Sequence, residues 1–445
     1  MGTIEEFRQI PKGNRRIIFG WVIYDWANSV YQLTIASAIF PIYYNKVTRQ
    51  NDFFTVDFFG LEVINTVLYS WAIAGAYLLF ALFSPLLSSL ADYTGRRKAF
   101  MKFFTWLGAL SCGMLFFFTG ENVELGIIFF ALGTLGYGGS LVFYNSFLPV
   151  IAEPKDQDRI SARGYSFGYL GGVVLFVINL VVILFPNLFG ITNPTMPARI
   201  AFLTVFLWWI VFSQITFLRL PKYTFPQRLH GERVLIKGYL ELVKVFRIVR
   251  KNRHMTIYLL AFFFITMGLL TVMFMAATYG EKQLGLSEEI LISTILLIQL
   301  VGMAGAYLFA WLSSKLSNFK ALMISVFCWI LVCIGAWLIT DAIGFMIVAF
   351  FVGLVMGGSQ SLARSTYSKM IPGAKDHTSF FSFYDVTEKL AIVAGTFAFG
   401  AIEAITGSMR NSVLGIVVFF MVGFGLLAML IRGEKKFLNA PPDLN

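Results

Sequence analysis

Residues 20–44 read GWVIYDWANSVYQLTIASAIFPIYY, an apolar run interrupted by Asp25, Asn28, Ser29 and Gln32. As a helix rising ~1.5 Å per residue the run spans roughly 37 Å, enough to cross a bilayer core. A carboxylate inside such a span costs a few kcal/mol on insertion scales, about 2.5 to 3.5 at the helix centre. Asp25, Asn28 and Gln32 fall at i, i+3 and i+7, so they share one helix face. That face must point at protein or at a water-filled cavity, and the remainder of the chain is expected to build the cavity.

The 445 residues are 58% hydrophobic and 17% aromatic, with 13% charged and a mean hydropathy of +0.74, which places the chain among polytopic membrane proteins. The net charge of +11 would suggest nucleic acid in a soluble chain, but here topology accounts for the basic residues and no nucleic-acid partner is expected. Cys112, Cys328 and Cys333 sit inside apolar runs with neither metal-ligand spacing nor a disulfide framework, so they read as packing residues. The N-terminal MGTIEEFRQIPKGNRR sets acids before bases and shows no small-residue cleavage site after the first apolar run. No signal peptide is therefore expected.

Apolar runs of spanning length recur twelve times, at about 18–44, 65–91, 99–119, 124–152, 163–187, 198–220, 254–280, 288–316, 321–340, 343–371, 380–407 and 410–431. An even number puts both termini on one side. That side carries 28 Lys and Arg residues against 5 on the other, so both termini are expected in the cytoplasm. The longest cytoplasmic segment, 221–253, divides the chain into an N-terminal six-helix half, 1–220, and a C-terminal one, 254–445. In it Leu235, Tyr239, Leu242, Phe246 and Val249 repeat at helical spacing, while Lys237, Lys244, Arg247, Arg250 and Lys251 form a basic face. Such a helix suits either the inner membrane surface, with anionic headgroups as partner, or a plain linker.

The halves echo one another in order. AGAYL occurs at 74–78 and 304–308, Gly138-Gly139-Ser140 returns as Gly357-Gly358-Ser359, and Lys155-Asp156 returns as Lys375-Asp376. Glycines in pairs of helices, Gly133, Gly136, Gly138 and Gly139 against Gly353, Gly357 and Gly358, fit close helix packing. Residues 91–98, ADYTGRRK, end the second span with an acid, a turn-permitting Gly95 and the bases Arg96 and Arg97. The second-half counterpart, LSSKLSNFKAL from Leu312, keeps the bases without the acid or the glycine. A cytoplasmic ion-pair latch is therefore expected in the first half alone, built on Asp92, Arg96 and Arg97.

Two six-helix halves and the ADYTGRRK loop resemble the major facilitator superfamily, which implies an all-α membrane fold of twelve transmembrane helices in two pseudo-symmetric halves. YDWANS at 24–29, YNSFLP at 144–149, SARGYSFGYLGG at 161–172, GGSQSLARS at 357–365 and FYDVTEK at 383–389 narrow the resemblance to the vacuole-effluxer-like family. That family includes the autophagy-related vacuolar permeases that export amino acids. Its fungal members carry long inserted loops that are missing here, which favours a bacterial cytoplasmic membrane.

The superfamily resemblance implies that helices one, four, seven and ten line the cavity. Those helices offer Asp25, Asn28 and Gln32; Tyr144 with Asn145; and Gln360 with Arg364. An anion and a planar cation on opposite halves could hold a zwitterion, ammonium to Asp25 and carboxylate to Arg364. Equally, Arg364 could neutralise Asp25, Asp385 or Glu388 in a cytoplasmic gate. On helix eleven Asp385 and Lys389 at i, i+4 are expected to pair, leaving Glu388 for Arg364 or a proton, and Glu403 returns to the Asp385 face near the other end. Acids on one stripe could carry a coupling proton, or Glu403 could simply be solvated at the interface.

These readings together describe a secondary active transporter of a small polar solute, an amino acid or similar zwitterion. The alternative is a transporter of amphiphiles, drugs or lipids with the same fold. No cofactor, nucleophile–base pair or phosphate-gripping loop is evident, so neither an enzyme nor a directly ATP-driven pump is expected.

Overall fold

Hydrocarbon offers backbone amides no partner, so a chain this apolar must satisfy them within helices. The computed structural model describes residues 12–48, 55–222, 234–372 and 376–438. Among them eleven helices are long and apolar enough to cross a membrane. They are α3 (Asn65–Thr94), α4 (Arg97–Met114), α5 (Val123–Asn145), α7 (Gln157–Leu184), α8 (Met196–Arg219), α10 (Arg253–Leu284), α11 (Glu288–Leu316), α12 (Asn318–Leu338), α13 (Ala342–Met370), α14 (His377–Thr406) and α15 (Met409–Leu438). The opening span is composite: α1 (Arg15–Val30), a nine-residue π-helical stretch (Tyr31–Ile39) and α2 (Phe40–Thr48). With it the helices follow the twelve runs of the hydropathy pattern. Short α6 (Leu148–Ile151) and the linker helix α9 (Val234–Lys251) complete the set.

The all-helical expectation misses one feature. Between α2 and α3, β1 (Thr55–Phe58) and β2 (Leu61–Ile64) form an antiparallel hairpin. Its two-residue turn, Phe59-Gly60, has positive φ at both positions, as a type I′ turn requires. Asp57 accepts the Gly60 amide at 2.8 Å and Glu124 accepts that of Phe59 at 3.2 Å, which holds the strained phenylalanine in place.

The chain packs as two units: residues 1–147 with 167–238, and residues 148–166 with 239–445. Within the first, α1 packs on α8, α4 on α5 and α8, and α3 on α5; within the second, α10 packs on α15, α12 on α13 and α15, and α11 on α13. The four pairings are the same in both units, counted span by span, and this is the structural form of the sequence echo. Small residues make the close contacts. Gly171 on α7 abuts the Trp26 carbonyl of α1, and Gly395 on α14 abuts the Met267 carbonyl of α10.

Gly357 is a stringent test of this packing, because a Cβ there would collide with the Gly302 carbonyl oxygen of α11, a backbone atom that cannot swing aside. Gly357→Ala is expected to cost about 1 to 3 kcal/mol through overpacking. Gly400→Ala, where a Cβ meets nothing within 4 Å, should leave stability unchanged or slightly raised. Thermal melts of the two purified variants check the contrast, and equal melting temperatures would contradict it.

Candidate functional site

In the first unit the polar groups of α1 are held by aromatic neighbours. Asp25, 5% exposed, accepts a hydrogen bond from the Tyr144 hydroxyl at 2.7 Å. Tyr144 is fixed in turn: its ring stacks on Trp21 with centroids 4.5 Å apart, and its carbonyl accepts the Trp21 indole N–H at 2.9 Å. Tyr24 exchanges a 2.6 Å bond with Thr105. Asn28 is buried, and its Nδ2 has no hydrogen-bond partner among the described residues. An unmet amide donor beside a carboxylate, deep in a membrane helix, is an arrangement that packing alone does not favour.

Gln32 is the second residue of the π-helical stretch, where bonds run i to i+5. It is partly exposed, whereas Asp25 and Asn28 are buried. Asn145, at the end of α5, is buried. Tyr137 stacks on Tyr31 at 5.0 Å, and Ser140 bonds back to the Tyr137 carbonyl.

The ADYTGRRK loop closes on itself. Gly95 takes φ +69° and ends α3, its amide returning to the Ala91 and Asp92 carbonyls. This turn brings Arg97 Nε to 2.8 Å from Asp92 Oδ1, with both side chains inaccessible to solvent. Arg96 is exposed, and Lys98 donates to the Leu220 carbonyl at 2.6 Å.

In the second unit the latch expected of the first half alone has a counterpart. Asp158, at the start of α7, accepts Ser313 Oγ at 2.9 Å, Asn318 Nδ2 at 2.8 Å and Lys369 Nζ at 2.7 Å, and Asn318 also accepts from Lys369. The acid that the LSSKLSNFKAL stretch lacks is thus supplied from elsewhere in the chain. The missing glycine is replaced as well, since Ser317 adopts φ +122° at the junction where the first half has Gly95.

Residues 148–166, which link α5 to the rest of α7, are seated in this unit by further bonds. Arg364, 2% exposed, donates through Nε to Ser161 Oγ and through Nη2 to the Ser161 carbonyl, each at 2.9 Å, and lies 4.2 Å above the Tyr165 ring. Ser161 Oγ donates to the Ser361 carbonyl at 2.8 Å. Sequence reasoning singled out Arg364 and weighed a solute carboxylate against Asp25, Asp385 or Glu388 as its partner; Ser161 and the Tyr165 ring are contacts it did not foresee.

A small cavity opens in this unit, lined by Tyr165, Tyr258, Phe262, Gln360, Tyr384 and Glu388 among others. On α14 Lys389 pairs with the adjacent Glu388. It is buried Asp385, rather than Glu388, that keeps an unpartnered oxygen, Oδ2, among the described residues. Glu403 is half-buried near the far end of α14.

The linker helix α9 buries Val245 and Val249 and leaves Tyr239 and Phe246 exposed, 59% and 52%. Lys244 bonds Glu241 at 2.8 Å and Asp376 at 3.2 Å, and Phe246 lies 6.0 Å from Phe383. Desolvation pulls the Lys244 ammonium down, but the two carboxylates outweigh it and its pKa is raised. A raised lysine contributes its stability at all pH values below its ordinary titration, so this contact is insensitive to pH near neutrality. Residues 223–233, with His230, lie outside the described residues, as do Lys375 of the repeated pair and the side chains of Leu235 and Lys237.

Residues 13–439 match the family model described as vacuole effluxer Atg22 like. An uncharacterized MFS-type transporter, YxiO, of Bacillus subtilis is 28% identical over 414 residues, covering 92% of this chain and 94% of that protein. Autophagy-related protein 22 of Yarrowia lipolytica is 22% identical over 504 residues, covering 92% and 83%. Among solved structures the fold is similar to the major facilitator superfamily transporter FucP in the outward conformation, with a TM-score of 0.69 at 14% identity over 94% of this chain and 99% of that one. It is also similar to the human organic anion transporter MFSD10, with a TM-score of 0.67 at 14% identity over 94% and 100%.

The Asp158 network makes a quantitative claim. Asp158→Asn and Lys369→Met are each expected to lower the stability of the purified protein by about 1 to 3 kcal/mol, because each strands a largely buried partner. The two losses should be non-additive by on the order of 1 kcal/mol in a double-mutant cycle. Additive losses would mean that the pair does not act as a unit.

Proposed function

The chain belongs to the vacuole effluxer Atg22-like family and has the major facilitator fold, and from that premise we propose a secondary active transporter that moves an amino acid or similar zwitterion by alternating access. The family is one of transporters rather than enzymes, and the chain is a multi-pass integral membrane protein. The observation that carries the reading is Asp25, a buried carboxylate in the first membrane helix, held by Tyr144 beside the unmet amide of Asn28. A charge kept at that cost serves a solute or an ion pathway by default. The amino-acid end of the reading rests on the motif resemblance and on the suitability of a carboxylate for an ammonium group.

In this reading Asp25, Asn28, Gln32, Tyr144 and Asn145 of the first unit, and Gln360 and Arg364 of the second, contact the solute during the cycle. The moving halves are 1–220 and 254–445, joined by 221–253. Asp92, Arg96 and Arg97 hold the first-half loop, and Asp385, Glu388, Lys389 and Glu403 on α14 handle a coupling proton. The positive-inside bias supports cytoplasmic termini, and the Bacillus relative supports a bacterial cytoplasmic membrane. The exposed Arg247, Arg250 and Lys251 of α9, with Tyr239 beside them, suit anionic headgroups. Movement of amphiphiles remains the second reading, favoured by an almost wholly apolar cavity in the second unit, lined by Val272, Met275, Cys333, Phe399 and Ile416.

Reconstitution decides between them. Proteoliposomes are expected to take up or release labelled amino acids, and Asp25→Asn should lower the initial rate about 10- to 100-fold while the protein stays folded. Dissipating the proton gradient should reduce accumulation. Transport of a fluorescent amphiphile but of no amino acid, or an Asp25→Asn variant as fast as the parent, would overturn the proposal.

A further inference from the structure

The cavity of the second unit has a chemistry of its own. Four aromatic rings line it, Tyr165, Tyr258, Phe262 and Tyr384, and among its described lining residues Glu388 alone is charged. Ring faces carry negative charge density, so rings and carboxylate act with the same sign. No basic side chain is among the described lining residues. Lys389 engages Glu388 through Oε1 and stands outside that lining. One turn back on α14, Asp385 is buried with its Oδ2 unpartnered among the described residues.

The rings are also held ready. Phe262 and Tyr384 stack with centroids 4.1 Å apart, and the Tyr258 hydroxyl donates to the Ala363 carbonyl at 2.8 Å, which fixes that ring. Tyr165 already carries a cation on one face, the guanidinium of Arg364 at 4.2 Å. An anionic group entering this space meets a carboxylate and ring faces of the wrong sign. A cation gains both contacts at once.

We propose that this cavity is an ammonium-binding subsite for an amine with an apolar body. Glu388 accepts the ammonium, the rings of Tyr258, Phe262 and Tyr384 line the space around it, and Ile265, Leu269 and Leu322 receive the apolar part. The inference rests on the chain being a transporter of small solutes, but it does not depend on Asp25 or on the solute having a carboxylate.

Two probes with the same aromatic body and opposite charge test it on the purified full-length protein: 2-phenylethylamine and 3-phenylpropionate. The amine is expected to bind and raise the melting temperature, and the carboxylate to bind at least about tenfold more weakly. Glu388→Gln should weaken amine binding about tenfold or more, and Phe262→Leu severalfold. Equal affinity for the two probes, preference for the carboxylate, no amine binding, or parental amine binding by Glu388→Gln would each overturn the assignment. If Glu388→Gln fails to fold, the comparison of probes on the parent protein decides alone. Amino-acid transport without amine selectivity would sink this inference and leave the proposed function standing. Selective, Glu388-dependent amine binding without amino-acid transport would do the reverse.

Discussion

A polar group buried in a membrane helix must find its partner inside the protein, because hydrocarbon supplies none. The first span of this chain concentrates that demand in Asp25 and Asn28. Much of the first unit answers it: the Tyr144 hydroxyl bonds the carboxylate, Trp21 stacks on Tyr144 and bonds its backbone, and Tyr24 reaches Thr105 on α4. The demand is met for the carboxylate and left open for the amide of Asn28. Directly after this cluster the helix widens into its π-helical stretch, a feature that is found mostly as short insertions at functional sites.

The second unit solves the same problem with other residues. Arg364 lies on the backbone and hydroxyl of Ser161 and on the ring of Tyr165, and Asp158 gathers Ser313, Asn318 and Lys369. Both networks seat residues 148–166 in that unit. Charge-assisted bonds in low dielectric are strong when complete and costly when broken, so such a segment is held firmly or released as a whole.

Much of this was legible in the residues. Hydropathy placed the helices, because length and apolarity are what a bilayer demands, and the ordered echoes between halves anticipated the four repeated helix pairings. Family motifs pointed to the transporter family. The missing acid of the LSSKLSNFKAL stretch was a different matter: Asp158 lies more than a hundred residues earlier, and spacing along a chain says nothing of that contact. Nor could periodicity single out Val245, which α9 buries with Val249 while Tyr239 and Phe246 stay exposed, since a docking partner chooses among the apolar residues of an amphipathic helix. In each case the deciding term was a tertiary contact and not a local preference.

The central claim is that the Asp25 face of the first span opens to an aqueous solute path during the cycle, although Asn28 is only 1% exposed here. A single cysteine at Asn28→Cys, in a chain whose Cys112, Cys328 and Cys333 are replaced by alanine, tests this in proteoliposomes with a membrane-impermeant cationic thiol reagent. Leu78→Cys on α3, at a position 61% exposed on the apolar surface, serves as the reference. The account predicts that the Asn28 position is labelled, that the transported solute slows the labelling, and that the Leu78 position stays inert. A cysteine at position 28 as unreactive as the one at position 78, with and without solute, would contradict it.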